Sequence, residues 1–273
     1  MTSPQGFGRS DHLCWSYRTD DDRRDAVVTW LADGLRLGQQ AFYVADRSPQ
    51  ELMADLAALP EVDELVDSGS VAVFSTSQLY DLSRPIDPVE QLAIYDRAVR
   101  AAIDSGFDGI RVAADITSLV ADPGRRSAHV HWEQVADRYI ARQPLAPLCL
   151  FDATRIRSLD AVVCVHPLRH TGAADAEFGV WSGPDGVTVL EGEIDGLTSP
   201  VLRDVLAGLP HGDRDAIDVS ALRFLDGRSA FVLHDALWSR RAAGHDVVLA
   251  GANEQLRRLW AMCGFDDTWF AAA

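Results

Sequence analysis

The chain has 273 residues, 47% of them hydrophobic, and a formal net charge of −16, so one or two domains with their own cores are expected. A chain this acidic repels nucleic acid and anionic membranes, and suits a protein partner with a basic surface. All 25 basic residues are arginine, which excludes Schiff-base lysine chemistry and any phosphate loop that depends on lysine.

No apolar run approaches the length of a membrane span, and the opening Met-Thr-Ser-Pro-Gln-Gly is not a signal peptide, so a cytoplasmic location is expected. Cys14, Cys149, Cys164 and Cys263 are scattered, with no C-x-x-C pair, and read as reduced thiols. In chain order, His12–Tyr17 forms a first strand and Arg18–Arg24 a polar loop. Val27, Val28, Leu31, Leu35 and Leu37 then make an apolar helical face closed by Gly38. With Ala41–Ala45 as the next strand, this is a βαβ unit, and it predicts a parallel sheet with helices on its faces. Further strands are predicted at Val71–Ser75, Gly109–Ala114, Leu148–Asp152 and Ala161–Val165. Helices are predicted at Glu51–Leu59, Val89–Ser105 and Ser127–Arg142. The class is α/β.

Ligands of open parallel sheets bind beyond the carboxyl ends of the strands. Those ends carry Tyr17 with Arg18, Asp115 with Thr117, and Phe151 with Asp152. His12 and Cys14 are two apart on one strand and share a face. With Cys149 and His166 they could hold zinc or copper, or equally serve as ordinary core residues. Glu133, near His129 and His131, offers acid–base groups or a solvated helix face. No cofactor is named by these residues.

The motif His12-Leu-Cys-Trp-Ser-Tyr17, the stretch Asp33–Val44, the strand Gly109–Asp115, Trp132-Glu133, Leu148–Asp152 and Val165-His-Pro167 follow one another in order. Together they resemble the MEDS domain, a sensory domain related to RecA-like ATPases, over residues 10–168. The resemblance implies small-ligand sensing, with His12, Cys14, Tyr17, Asp115, Glu133 and Cys149 as candidate ligand-binding residues. It does not carry ATPase activity with it. A phosphate loop needs glycines, a lysine and a Ser/Thr for magnesium, whereas the loop here is Arg18-Thr-Asp-Asp-Asp-Arg-Arg24. The expected first domain is therefore a RecA-like parallel sheet without a phosphate loop.

Residues 169–177 are small and polar and read as a linker. Beyond them, Ala216–Leu225 reads as a buried strand and Asp226 as the N-cap of a helix carrying Phe231, Leu233, His234, Leu237 and Trp238. With Val187–Asp195, Ala243–Gly251 and the helix Gln255–Phe265, this resembles the STAS domain of anti-sigma factor antagonists, over residues 178–273. Trp269–Ala273 is expected to be a helix end packed on its sheet. The resemblance implies a partner surface at Asp195, Asp226, Gly227, Arg228 and Ser229, and a partner of the anti-sigma factor kind or a related regulator. Gly227 stands where the family carries its phosphorylatable serine, Arg228 follows it, and Ser229 falls on the family's glycine. Two functional readings follow. One is a non-enzymatic regulator whose front domain senses a small ligand. The other is an enzyme working in that front domain through Cys14 or Glu133, although no nucleophile–base spacing supports it.

Overall fold

Strand β1 (Leu13–Tyr17) is buried at every residue, and β4 (Ile110–Asp115) and β5 (Leu145–Asp152) are buried at all but the last. Such runs belong in a parallel sheet covered on both faces. The computed structural model describes residues 3–170, 177–183, 185–210 and 214–271, in two compact units. The first unit holds β1, β2 (Gln40–Ala45), β3 (Val71–Ser75), β4, β5 and β6 (Leu168–His170), all parallel, in the order β3-β2-β4-β5-β1-β6.

Helix α1 (Asp20–Arg36) starts where the Thr19 hydroxyl accepts the Asp22 N–H, and Asp20–Asp22 complement the positive end of its dipole. It buries Trp30 and Leu31 completely. The Trp30 indole donates to the Val112 carbonyl at 3.0 Å, and the Arg111 guanidinium lies 3.6 Å over its ring. Helix α2 (Pro49–Asp55) begins with a reciprocal capping box between Ser48 and Glu51. The shorter α3 (Val62–Asp67) and α4 (Thr76–Leu79) follow, then α5 (Pro88–Asp104), α6 (Thr117–Val120), α7 (Arg126–Ile140) and α8 (Asp160–Val163).

Ala161–Val165, expected as a strand, is instead the turn of helix α8 and the residues after it. A short apolar run without alternation fits a buried helix turn as well as a buried strand. The sixth strand is Leu168–His170, so the stretch expected as linker begins in the sheet. Residues 171–176 lie outside the described residues.

The second unit takes in Arg126–Arg138, Asp160–Pro167 and the chain from Ala176 onward. Its sheet is mixed. Strands β8 (Thr188–Ile194), β9 (Arg214–Asp218), β10 (Leu222–Leu225) and β11 (Asp246–Ala250) are parallel in the order β10-β8-β9-β11, and β7 (Phe178–Ser182) pairs antiparallel with β8. The expected single strand Ala216–Leu225 is therefore two, because Asp218 accepts the Ser220 N–H at 2.8 Å and turns the chain between them. Helices α9 (Ser199–Gly208), α10 (Gly227–Ala242) and α11 (Glu254–Met262) complete the unit around Phe178, Leu190, Leu233 and Trp260. After a short 3₁₀ turn at Asp267–Trp269, Phe270 bridges to Leu249 of β11.

Arg23 is fully buried on α1. Its guanidinium donates to both oxygens of Asp55, at 2.8 and 3.0 Å, and to Tyr43, whose hydroxyl donates to Asp55 at 3.0 Å. Burial pushes the Asp55 carboxyl up, but the hydrogen bonds and charge of Arg23 outweigh it and hold the group below its ordinary value of 3.8. A lowered folded-state value adds stability that is complete above the unfolded value and lost as pH falls through the folded one. Asp55→Asn is expected to cost about 3–5 kcal/mol by leaving Arg23 buried without its counter-charge. Urea unfolding at neutral pH measures the loss, and the variant's stability should fall less steeply than the parent's below pH 3.8.

Candidate functional site

The carboxyl ends of β1, β4 and β5 meet in one hydrogen-bonded group. The Tyr17 hydroxyl donates to Asp115 at 2.6 Å, and burial together with that carboxylate pushes its pKa up. The other Asp115 oxygen accepts the Thr117 N–H and hydroxyl, at 3.1 and 2.7 Å. Thr117 in turn accepts the Asp152 N–H at 2.9 Å. Tyr17 and Asp115 are thus brought together, each already partnered by the other.

The loop after β1 cannot cradle phosphates. Its backbone is spent starting α1, three carboxylates crowd its first turn, and Arg23 and Arg24 are both held by Asp55. Arg24 joins Arg23 on Asp55 at 3.0 Å. His12 and Cys149 come together, with Nε2 and Sγ 3.4 Å apart. Cys14 sits opposite Cys149 in the register of β1 and β5 and is fully buried.

Within the second unit, α7 and the segment after α8 bring three further side chains into one place. His129 Nδ1 lies 3.3 Å from Glu133 Oε1, and His166 Nε2 lies 3.5 Å from Glu133 Oε2, all three groups being at most 1% exposed. Glu133 is therefore no solvated face: the i,i+4 step from His129 turns both inward. The same helix holds the edge of the second sheet. Gln134 donates to the Val180 carbonyl at 2.9 Å, Asp137 accepts the Ser182 N–H at 3.0 Å, and Arg138 donates to the Ser182 hydroxyl at 2.9 Å. The Val180 N–H goes to the Cys164 carbonyl at 2.7 Å. These anchors had no visible signal in the sequence, because β7 itself was not recognisable there.

The turn from β10 into α10 sits beside the end of β8. Asp226 caps the helix by accepting the Ser229 N–H at 2.7 Å, and its own N–H donates to the Ile194 carbonyl at 3.1 Å. The Ser229 hydroxyl is buried and donates to the Asp195 carbonyl at 3.0 Å. Asp195 accepts the N–H groups of Thr198 and Leu197, which hold its carboxyl below the usual range. Arg228 is exposed and Gly227 half-buried. A methyl group built on Gly227 would meet nothing within 4 Å.

Three outcomes are expected. Gly227→Ser should leave the melting temperature unchanged in calorimetry, whereas Asp226→Ala should cost about 1 kcal/mol through loss of the cap. Isothermal titration with ATP and magnesium should give no heat of binding; micromolar affinity would contradict the account of the Arg18–Arg24 loop.

Residues 11–167 match the profile described as MEDS, the methanogen/methylotroph, DcmR sensory domain, and residues 180–270 match one described as Mlab, STAS domain. No curated protein matches the chain. Since the first match covers more than half of its length, the chain belongs to the MEDS sensory family and continues into a STAS domain.

Proposed function

We propose that the chain is a non-enzymatic regulator of the cytoplasm. Its front domain senses a small ligand, and its STAS domain binds a protein partner of the anti-sigma factor kind without control by phosphorylation. The observation that carries this reading is the Asp226–Ser229 turn. It is fully formed, yet it has no hydroxyl at Gly227, and the Ser229 hydroxyl is turned inward onto Asp195. A phosphate there would have to break that bond and leave a buried site. Ligand contacts in the front domain are assigned to His12, Cys14, Tyr17, Asp115, Glu133 and Cys149, and partner contacts to Asp195, Asp226, Gly227, Arg228 and Ser229.

Several features support the assignment. Arg23 and Arg24 are engaged by Asp55, which disfavours nucleotide chemistry. The net charge of −16 disfavours nucleic acid and anionic lipid. Exposed Phe224 precedes the turn by two residues and exposed Leu197 follows Asp195 by two, and both offer apolar area to bury against a partner. Exposed Arg228 adds a positive rim suited to a carboxylate-bearing surface.

The test is binding of the purified chain to kinase-type anti-sigma factors, with and without ATP. Affinity is expected to be the same in both conditions, and Arg228→Glu is expected to slow association. Stoichiometric phosphate on Ser229 together with loss of binding would overturn the reading.

A further inference from the structure

Helix α5 buries Gln91, Val99 and Ala102 along one face. A glutamine on such a face breaks the apolar pattern. It is 4% exposed, and its Nε2 donates to nothing among the described residues. A buried donor left unpaired costs stability, so its persistence calls for a physical explanation. Gln91 stands on the wall of a cavity of about 520 Å³, formed by α4, the loop after it and the first turns of α5. That size falls within the range of small-molecule sites, ~300–1,000 Å³. The cavity follows the carboxyl end of β3, the end at which parallel sheets place their ligands. Strand β3 is the edge of its sheet and β2 separates it from β4, so this place is distinct from the Tyr17–Asp115 group.

The walls select among ligands. Leu79, Tyr80, Leu82 and Ile94 give the cavity an apolar body. Its one guanidinium, that of Arg84, is already held by Asp81 at 2.8 Å and by Glu90. The start of α5 is occupied as well, since Asp87 Oδ1 accepts the N–H groups of Val89 and Glu90 at 2.9 and 3.2 Å. The lining therefore sets three carboxylates against one guanidinium. Hydrogen bonds from Ser83 and Arg84 hold the Asp81 carboxyl down at about 2, so it stays ionised at neutral pH. An anion would be repelled here, with neither a free cation nor an open helix end in the lining to receive it. We propose that this cavity binds an uncharged small molecule that sets a carbonyl oxygen on Gln91 Nε2 and an apolar body against Tyr80 and Ile94. The ligand pairs a donor that the fold itself leaves open. Binding stands on the cavity alone; only its use as a sensory input rests on the regulator reading.

The experiment titrates the full chain, labelled with nitrogen-15, with acetophenone, a small ketone on an apolar ring, and separately with benzoate, an anion of similar shape. Acetophenone should shift the Gln91 side-chain amide signals, identified by their loss in Gln91→Met, with a dissociation constant of about 1–5 mM, as suits a ligand this small. Benzoate should bind more weakly by roughly fivefold or more. Gln91→Met keeps the length of the side chain but has no donor. It should bind acetophenone roughly three- to tenfold more weakly, yet melt at or above the temperature of the parent, since it removes an unpaired buried group. That combination separates a ligand-binding glutamine from a structural one. The proposal is overturned if acetophenone gives no saturable shift, if benzoate binds equally well, or if Gln91→Met binds as the parent does. A Gln91→Met chain that melts well below the parent or fails to fold overturns it too, by showing that the side chain serves the fold. Partner binding plays no part in these measurements, so their failure is separate from failure of the regulator reading.

Discussion

A guanidinium can be taken out of water only where carboxylate oxygens receive it, and that requirement shapes the start of the front domain. Arg23 meets it through Asp55 and Tyr43, which ties α1 to β2 and to the end of α2 in one polar knot inside an apolar core. The same knot draws the Arg23 charge of the loop into the core. A RecA-like sheet is kept while the nucleotide site is given over to structure. The strand ends are likewise closed by their own side chains, with Tyr17 on Asp115 and Thr117 linking Asp115 to Asp152.

An edge strand with open backbone groups invites pairing with other chains. On β7 the Val180 carbonyl, the Ser182 N–H and the Val180 N–H are taken by Gln134, Asp137 and the Cys164 carbonyl. The helix that supplies this cover also carries His129 and Glu133. Edge protection and a cluster of ligand-type side chains are thus properties of one helix, and strain on one side of it has a direct path to the other.

Much of the fold was legible in the sequence because its signals are local. The buried parallel strands are continuous apolar runs, Gly38 marks the end of α1 at φ +77°, and Asp226 stands where a cap belongs. Segments whose state depends on distant neighbours were less legible. Ala161–Val165 is apolar throughout, so its packing rather than its pattern makes it helical. Strand β7 is short and adjoins a polar stretch, and its identity comes from β8. The Ala216–Leu225 strand breaks in two at a side-chain cap on Ser220 that apolar patterning does not register. At the candidate sites the residue types were visible, but the pairings were not. His12 and Cys149 are 137 positions apart, and Glu133 could not be known to face His166 until α7 and the segment after α8 were placed.

The empty space around Gly227 has an evolutionary meaning. Two of the four glycine codons lie one base away from a serine codon, and nothing in the surrounding packing would resist the larger side chain. A serine at position 227 would therefore need no compensating change nearby. Where position 227 is encoded by GGU or GGC, one base change would place a serine hydroxyl at the start of α10, and the surrounding packing would not stand in its way.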